Sequence, residues 1–404
     1  MKFIFFAIIA WLSIAYAKAQ PGCTDPQALN FDPTATVNDG SCTYPPTTYS
    51  PELIAELPSE LAEASGMEFF DHQLWLHEDG GAGPLLQTVD TVTAAIQVSY
   101  SLPLLENTDW EDLAEDAENL YIGDFGNNSG DRTNLRIFKV NKTALQVAGT
   151  VTAEVIEFSF SDQTDFTPAY HATNFDCEAM VVIGDSLHIF SKRWLDKTTH
   201  HYVLPTAPGS YVAPLRDSFN IGLLATAADM SADGVVALLG YDLSTSEVAM
   251  WLFWDFAGGA VFSGNKRKIS LGSALSLSQA EGLAFSTATE GLICSERFSV
   301  LPQKLHRFDI RQWLENPSPA LEAELEPSIS LSPNPFSDFL IVDFQVVGGG
   351  DGQFSLVGTD GQTWRSGELR SGKNTISTED LPAGTYFLWV KNEDGNVVRK
   401  VMKS

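Results

Sequence analysis

Apolar residues fall in short runs along most of this chain, separated by polar phrases of similar make-up. The runs at 74–76, 120–122, 187–190, 235–239 and 291–294 have the length of strands rather than of helices. An acidic phrase precedes each run. The copies are Glu63-Ala-Ser-Gly-Met67, Asp109-Trp-Glu-Asp-Leu-Ala114, Phe175-Asp-Cys-Glu-Ala-Met180, Ala228-Asp-Met-Ser231 and Ala280-Glu-Gly-Leu-Ala284. A second polar phrase ends each run: His77-Glu-Asp79, Gly123-Asp-Phe-Gly-Asn127, Ser191-Lys-Arg-Trp194, Gly240-Tyr-Asp242 and Ser295-Glu-Arg297. Third strands are predicted at 135–140, 201–204, 249–254 and 304–310, and a fourth before each new acidic phrase. Four short antiparallel strands, repeated roughly every 50 residues, are the plan of a β-propeller blade. The fold class is therefore all-β. Five phrases predict five blades over residues 51–314, and the long interval from Glu111 to Glu178 leaves a sixth, degenerate blade open. The strand at 53–57 is expected to pair with the last blade and close the ring.

Strands continue after the repeats. Alternating segments at 339–344, 353–357, 385–390 and 397–402, with turns at Asp360-Gly361 and Asp394-Gly395, predict a small antiparallel β-sandwich over residues 328–404. Residues 45–50 and 315–327 read as linkers by composition. Residues 20–44 form a short module bracketed by Cys23 and Cys42, which are expected to pair. Cys177 and Cys294 lie in strands of different repeats and are expected to be buried free thiols. Lys2, the apolar stretch 3–15 and the small-residue site Ala17-Lys-Ala19 predict a secretory signal peptide over residues 1–19. That stretch is too short to span a membrane comfortably, and no later segment predicts a transmembrane helix.

Charge narrows the range of partners. The chain holds 52 Asp+Glu against 24 Lys+Arg, a net charge of -28, which argues against a nucleic-acid partner. It is compatible with divalent cations. The first strand of a blade lines the central channel, and the second runs back beside it. The two polar phrases of each repeat, about 13 residues apart, should therefore ring one mouth. That mouth would hold Glu111, Asp112, Asp124, Asn127, Glu178, Asp229, Glu281 and Glu296, with the cations Lys192, Arg193 and Arg297 and with His77. Crowded carboxylates repel one another, and Ca²⁺ on Glu111, Asp124, Glu178 and Glu281 would relieve that repulsion. In the first module Asp25, Asn30, Asp32, Asn38 and Asp39 have oxygens at alternating positions. They serve either as Ca²⁺ ligands or as turn formers. No Gly-x-Ser-x-Gly elbow, Cys-x-x-Cys, phosphate-binding loop or His-Glu-x-x-His is present.

Three resemblances add to this reading. Leu331-Ser-Pro-Asn-Pro-Phe336, Gly358-Thr-Asp-Gly361, Leu381-Pro-Ala-Gly-Thr-Tyr386 and Lys400-Val-Met-Lys-Ser404 resemble, in order, the type A C-terminal sorting domain of the type IX secretion system. The resemblance implies contact with that machinery through residues 328–404, passage through the periplasm, and release or display at the outer surface. The module from Cys23-Thr-Asp-Pro to Asp39-Gly-Ser-Cys42 resembles modules of secreted bacterial surface proteins akin to thrombospondin type 3 repeats. Ser65-Gly66, Asp109-Trp-Glu-Asp112, Tyr121-Ile-Gly-Asp-Phe-Gly-Asn127, Glu178-Ala179, Ser191-Lys-Arg193, Glu281-Gly282 and Ser295-Glu-Arg297 resemble secreted phytase-like and esterase-like propellers. Two functions stand side by side. One is a metal-dependent hydrolase of phosphorylated or ester substrates. The other is a non-catalytic propeller binding a small molecule, glycan or protein at the same mouth.

Overall fold

A computed structural model describes residues 19–81, 83–145, 151–314, 328–345, 352–358, 362–391 and 396–403. The expected leader, apart from Ala19, lies outside the described residues, as do the linker 315–327 and the turns at Asp360-Gly361 and Asp394-Gly395. The chain falls into two compact units, residues 1–314 and 315–404.

Among the described residues, five sheets of four or five strands succeed one another through the first unit. Each starts from an inner strand: Ala64–Phe70, Trp110–Glu115, Asp176–Ile183, Leu224–Met230 and Gln279–Phe285. Later strands add outward in antiparallel order, except that Gly209–Ala213 and Thr47–Thr48 join the outer edges of the second and fourth sheets in parallel. The fifth sheet takes its outermost strand from the start of the unit, where Glu52–Glu56 pairs antiparallel with Lys304–Asp309. Backbone hydrogen bonds thus join the beginning and end of the ring. The long interval from Glu111 to Glu178 is taken up by the remainder of the second sheet and by loops at 125–134 and 161–175.

Packing explains the sequence pattern. One apolar cluster fills each gap between consecutive sheets. Trp75, Trp110 and Phe138 lie between the first and second sheets, and Phe158, Ile189 and Tyr202 between the second and third. Phe190, Leu238 and Phe253 fill the next gap, and Leu239, Met250 and Phe308 the one after it. Leu74, Leu76, Leu292 and Leu305 close the circle between the fifth sheet and the first. Second strands are covered on both faces, so they read as continuous apolar runs rather than alternating ones. Inner strands converge on the axis and are built of small residues such as Ala64, Ala179, Ala225, Ala227 and Ala280, all fully buried. At Gly282 a Cβ would collide with the Ser65 carbonyl of the neighbouring inner strand.

The N-terminal module is closed by the Cys23–Cys42 disulfide. Cys177 and Cys294 are buried free thiols, and burial pushes both pKa values up. The second unit holds a three-stranded and a four-stranded antiparallel sheet around Phe336, Leu340, Phe344, Leu356 and Leu388. Its strand Gly384–Lys391 alternates buried and exposed residues, as expected of a sheet with one face in the core.

Candidate functional site: an acidic mouth built on five bulges

Every inner strand breaks register with its neighbour at the same level. The pairing jumps from Ala64 to Met67, from Trp110 to Asp112, from Cys177 to Ala179, from Ala225 to Ala227 and from Ala280 to Gly282. The residues left over are Ser65 with Gly66, Glu111, Glu178, Thr226 and Glu281. A bulge bends the strand and re-aims the extra side chain. Two of these residues knit the ring: the Ser65 hydroxyl donates to the Glu111 carbonyl (2.8 Å) and the Thr226 hydroxyl to the Ala280 carbonyl (2.8 Å). Glu111, Glu178 and Glu281 instead line a cavity of about 340 Å³. Asp79, Lys192, Tyr241 and Glu296, from the ends of second strands, and the loop residues Tyr170 and His171 also line it.

Asp79, Asp109 and Glu111 form an acidic trio whose ligand oxygens lie within 4.8 Å of one another. Glu111 is 4% exposed, and its Oε1 has no hydrogen-bond partner. The backbone of Gly126 packs on the trio, and a Cβ there would strike Glu111 Oε1 and the Asp109 carboxylate. Burial, and then the neighbouring charges of Asp79 and Glu178, hold the Glu111 carboxyl well above its usual range. Burial also pushes Asp79 up to about 7 and Asp109 up to about 6. An all-carboxylate set with an orphaned buried oxygen suits a hard divalent cation.

Across the cavity Lys192 Nζ meets Glu178 Oε2 at 2.5 Å, with both side chains 4% exposed. The ammonium also lies 5.0 Å from the Trp194 ring centroid and 5.4 Å from that of Tyr241. Burial opposes its charge, but Glu178, Tyr241 and Glu281 outweigh burial and hold the pKa well above the usual value. Gln279 Nε2 donates to Glu281 Oε1 (2.6 Å) and to Glu296 Oε1 (3.0 Å). Burial and the adjacent Glu281 push Glu296 up to about 10, so it carries a proton at neutral pH. His171 is stacked between Tyr170 and Trp194, each ring centroid 3.8 Å away.

Several expected site residues have other partners. Asp124 accepts from Arg136 Nε (2.7 Å), Arg132 (3.0 Å) and the Asp109 N–H (3.0 Å), so its oxygens are already engaged. Asn127 joins the second sheet to the third through the Phe175 carbonyl (2.9 Å) and Asp176 (2.7 Å). Arg193 pairs with Asp196 (2.6 Å), and Arg297 is exposed; neither lines the cavity. His77 is buried against Gly66, its Nδ1 3.0 Å from the Glu78 carbonyl. Asp112 accepts N–H bonds from Met180 (2.8 Å) and Ala228 (3.3 Å) and so ties three inner strands together. The acids of the N-terminal module cap turns: Asp32 accepts from Thr34 (2.8 Å), Asp39 from Ser41 (3.0 Å) and Asp25 from Gln27 (2.8 Å) and Tyr44 (2.7 Å). Asn30 accepts from Thr43 (2.8 Å), and Asn38 donates to Asp255 (2.8 Å). Of the four acids expected to hold a metal, Glu111, Asp124, Glu178 and Glu281, only Glu111 belongs to the trio of neighbouring carboxylates, with Asp79 and Asp109. Asp79 and Asp109 stand in the polar phrases themselves, whereas Tyr170 and His171 come from a loop with no repeat signal.

Asp229 belongs to the other end of the channel. The fourth bulge falls at Thr226, so Asp229 sits three residues further along its strand, beside a cavity also lined by Glu68. There it accepts N–H bonds from Phe285 (2.6 Å) and Met230 (2.6 Å). Burial pushes Asp229 up to about 7 and Glu68 well above its usual range. An acid whose folded pKa is raised contributes stability that is complete below its unfolded pKa of about 4 and is lost as pH rises through the folded value. The melting temperature should therefore fall between pH 5 and pH 8. Asp229→Asn should flatten that slope in thermal melts.

Comparisons with known proteins bear mainly on the second unit. Residues 330–404 match the secretion system C-terminal sorting domain. No curated protein matches the sequence. Among solved structures the chain is similar to PorZ, an essential bacterial surface component of the type IX secretion system of Porphyromonas gingivalis. Identity is 14% and the TM-score 0.32, over 88% of this chain and 47% of that one, so the present chain spans about half of PorZ. It is also similar to the calcium-binding protein regucalcin from Agrobacterium tumefaciens, with 10% identity and a TM-score of 0.37, over 66% of this chain and 96% of that one. An exo-β-1,3-galactanase from Phanerochaete chrysosporium matches with 10% identity and a TM-score of 0.41, over 87% of this chain and 99% of that one. The sorting domain marks this propeller protein as cargo of the type IX secretion system, exported to the cell surface or released. No described helix is long and apolar enough to cross a membrane.

Proposed function

We propose that the acidic mouth holds a divalent cation on Asp79, Asp109 and Glu111, and that the exported propeller hydrolyses a small ester there. The oxygen-only donor set points to Ca²⁺. The carrying observation is Glu111 Oε1, a buried carboxylate oxygen with no partner beside two further carboxylates. A bound cation would polarise a carbonyl or phosphoryl oxygen. The remaining chemistry comes from side chains of this chain. Five acidic side chains line the cavity, and Lys192, already paired with Glu178, is the one lysine or arginine among the described lining residues. That balance repels a phosphorylated substrate and favours an uncharged ester. Protonated Glu296 supplies a proton donor beside Glu281. The stack of Tyr170, His171 and Trp194 offers a flat wall against which a substrate can be held.

That stack also supports a second reading, a receptor for a sugar or other ring-bearing ligand without chemistry. Tyr170 is 71% exposed and Phe298 41%, so aromatic surface reaches the rim. Metal analysis of the mature protein, together with a panel of ester and phosphoester substrates assayed with and without chelator, separates the two. The hydrolase reading expects about one divalent ion per chain and ester hydrolysis that chelator abolishes and Ca²⁺ restores. A metal-free protein that is silent on the panel but retained by a glycan array would establish the receptor instead.

A further inference from the structure

The far end of the channel has a chemistry of its own. A cavity of about 440 Å³ opens where the inner strands end, and it shares no lining residue with the acidic mouth. Its acids are Glu68, Glu115, Asp116 and Asp229, and no cationic side chain lines it. Glu115 is paired with Lys142, and Asp116 accepts from Tyr121 (2.6 Å) and Asn119 (3.1 Å). Asp229 is half engaged, each oxygen accepting one backbone N–H. Glu68 is 2% exposed; its Oε1 accepts the Phe69 N–H (2.8 Å), while its Oε2 is buried without a partner. Phe69, Val182, Met230 and Phe285 supply the apolar part of the wall.

We propose that this cavity is a second binding site, taking a ligand with a primary ammonium group on a short apolar body. An ammonium has three N–H donors and no acceptor. It can satisfy Glu68 Oε2 and share the outer lone pairs of Asp229, while its hydrocarbon covers the apolar wall. A bare metal ion fits less well. Ca²⁺ takes six to eight oxygens, and among the described lining residues only one carboxylate oxygen is both buried and without a partner. The volume lies in the range of small organic ligand sites rather than of an ion cage. Burial first, and the neighbouring acids after it, raise the pKa values of Glu68 and Asp229.

The test is calorimetric titration of the mature full chain with butane-1,4-diammonium and with phenethylammonium, using Ca²⁺-saturated protein. The expected result is saturable binding that Glu68→Gln weakens at least tenfold. Ala232→Trp provides a second variant, since Ala232 is exposed at the cavity and its replacement blocks the opening without touching an acid. It should weaken binding as strongly. Three outcomes would overturn the proposal. One is no saturable heat up to roughly 10 mM ligand. Another is binding that is equal in wild type, Glu68→Gln and Ala232→Trp and vanishes by roughly 0.3 M salt; that would be diffuse attraction to a chain of net charge -28. The third is Ca²⁺ competing with the ammonium in a Glu68-dependent way. The Ca²⁺ mouth is read out separately, so failure of either site leaves the other standing.

Discussion

Replacing Lys192 by methionine should destabilise the propeller by about 3–5 kcal/mol at pH 8, the usual consequence of removing one partner of a buried ion pair. Lys192 and Glu178 are each 4% exposed at the side chain and 2.5 Å apart. Without the ammonium, Glu178 is left beside Glu111 and Glu281 in the same cavity. It must then carry either an unpaired charge or a proton. Its folded pKa should rise further above the unfolded value of about 4.3, so the loss should be smaller at pH 5 than at pH 8. Lys192→Met with Glu178→Gln should recover most of the stability, since no charge remains to be buried. Urea denaturation of the three variants at both pH values checks the scheme. A loss under about 1 kcal/mol for Lys192→Met would mean that its ammonium is not the counter-ion of Glu178.

The propeller was legible because its signal is collective. Both faces of each second strand are covered by neighbouring sheets, and this produces the apolar runs that recur through the chain. The site was legible in part. Glu111, Glu178 and Glu281 stand at equivalent bulges, and their spacing to the second polar phrases reports that they share a level. In the fourth repeat the bulged residue is Thr226, a hydroxyl, and the nearest acid, Asp229, lies past it. Matching by residue type therefore moved the alignment to the wrong end of the strand. Which carboxylates are free is also invisible in one dimension. Asp124 and Asp109 look alike in the phrases, yet Arg132 and Arg136 fold back onto Asp124. Asp109 is left to face Asp79 and Glu111. Tyr170 and His171 reach the mouth through a loop whose backbone is held by His171 N–H to Asn128 (2.9 Å) and Ala169 N–H to Ser129 (2.8 Å), contacts without a sequence period.

Glu111→Gln should be less stable than the wild type in Ca²⁺ and more stable than it once metal is removed. In the wild type, Ca²⁺ should raise the melting temperature, because an ion that binds only the folded state stabilises it by mass action. The variant should bind Ca²⁺ at least about 100-fold more weakly, since an amide keeps one oxygen and turns N–H donors toward the ion. Under chelator the order should invert. Burial first, and then the charges of Asp79 and Glu178, oppose ionisation of Glu111 in the empty mouth. Each pKa unit of that opposition corresponds to about 1.4 kcal/mol. Removing the charge should thus make metal-free Glu111→Gln more stable than metal-free wild type, by about 1–2 kcal/mol. A purely architectural Glu111 predicts something different: a variant less stable than wild type both with and without Ca²⁺, by the same margin. Differential scanning calorimetry of both proteins in chelator and in Ca²⁺ distinguishes the two, because only a metal-holding role makes the two stability curves cross.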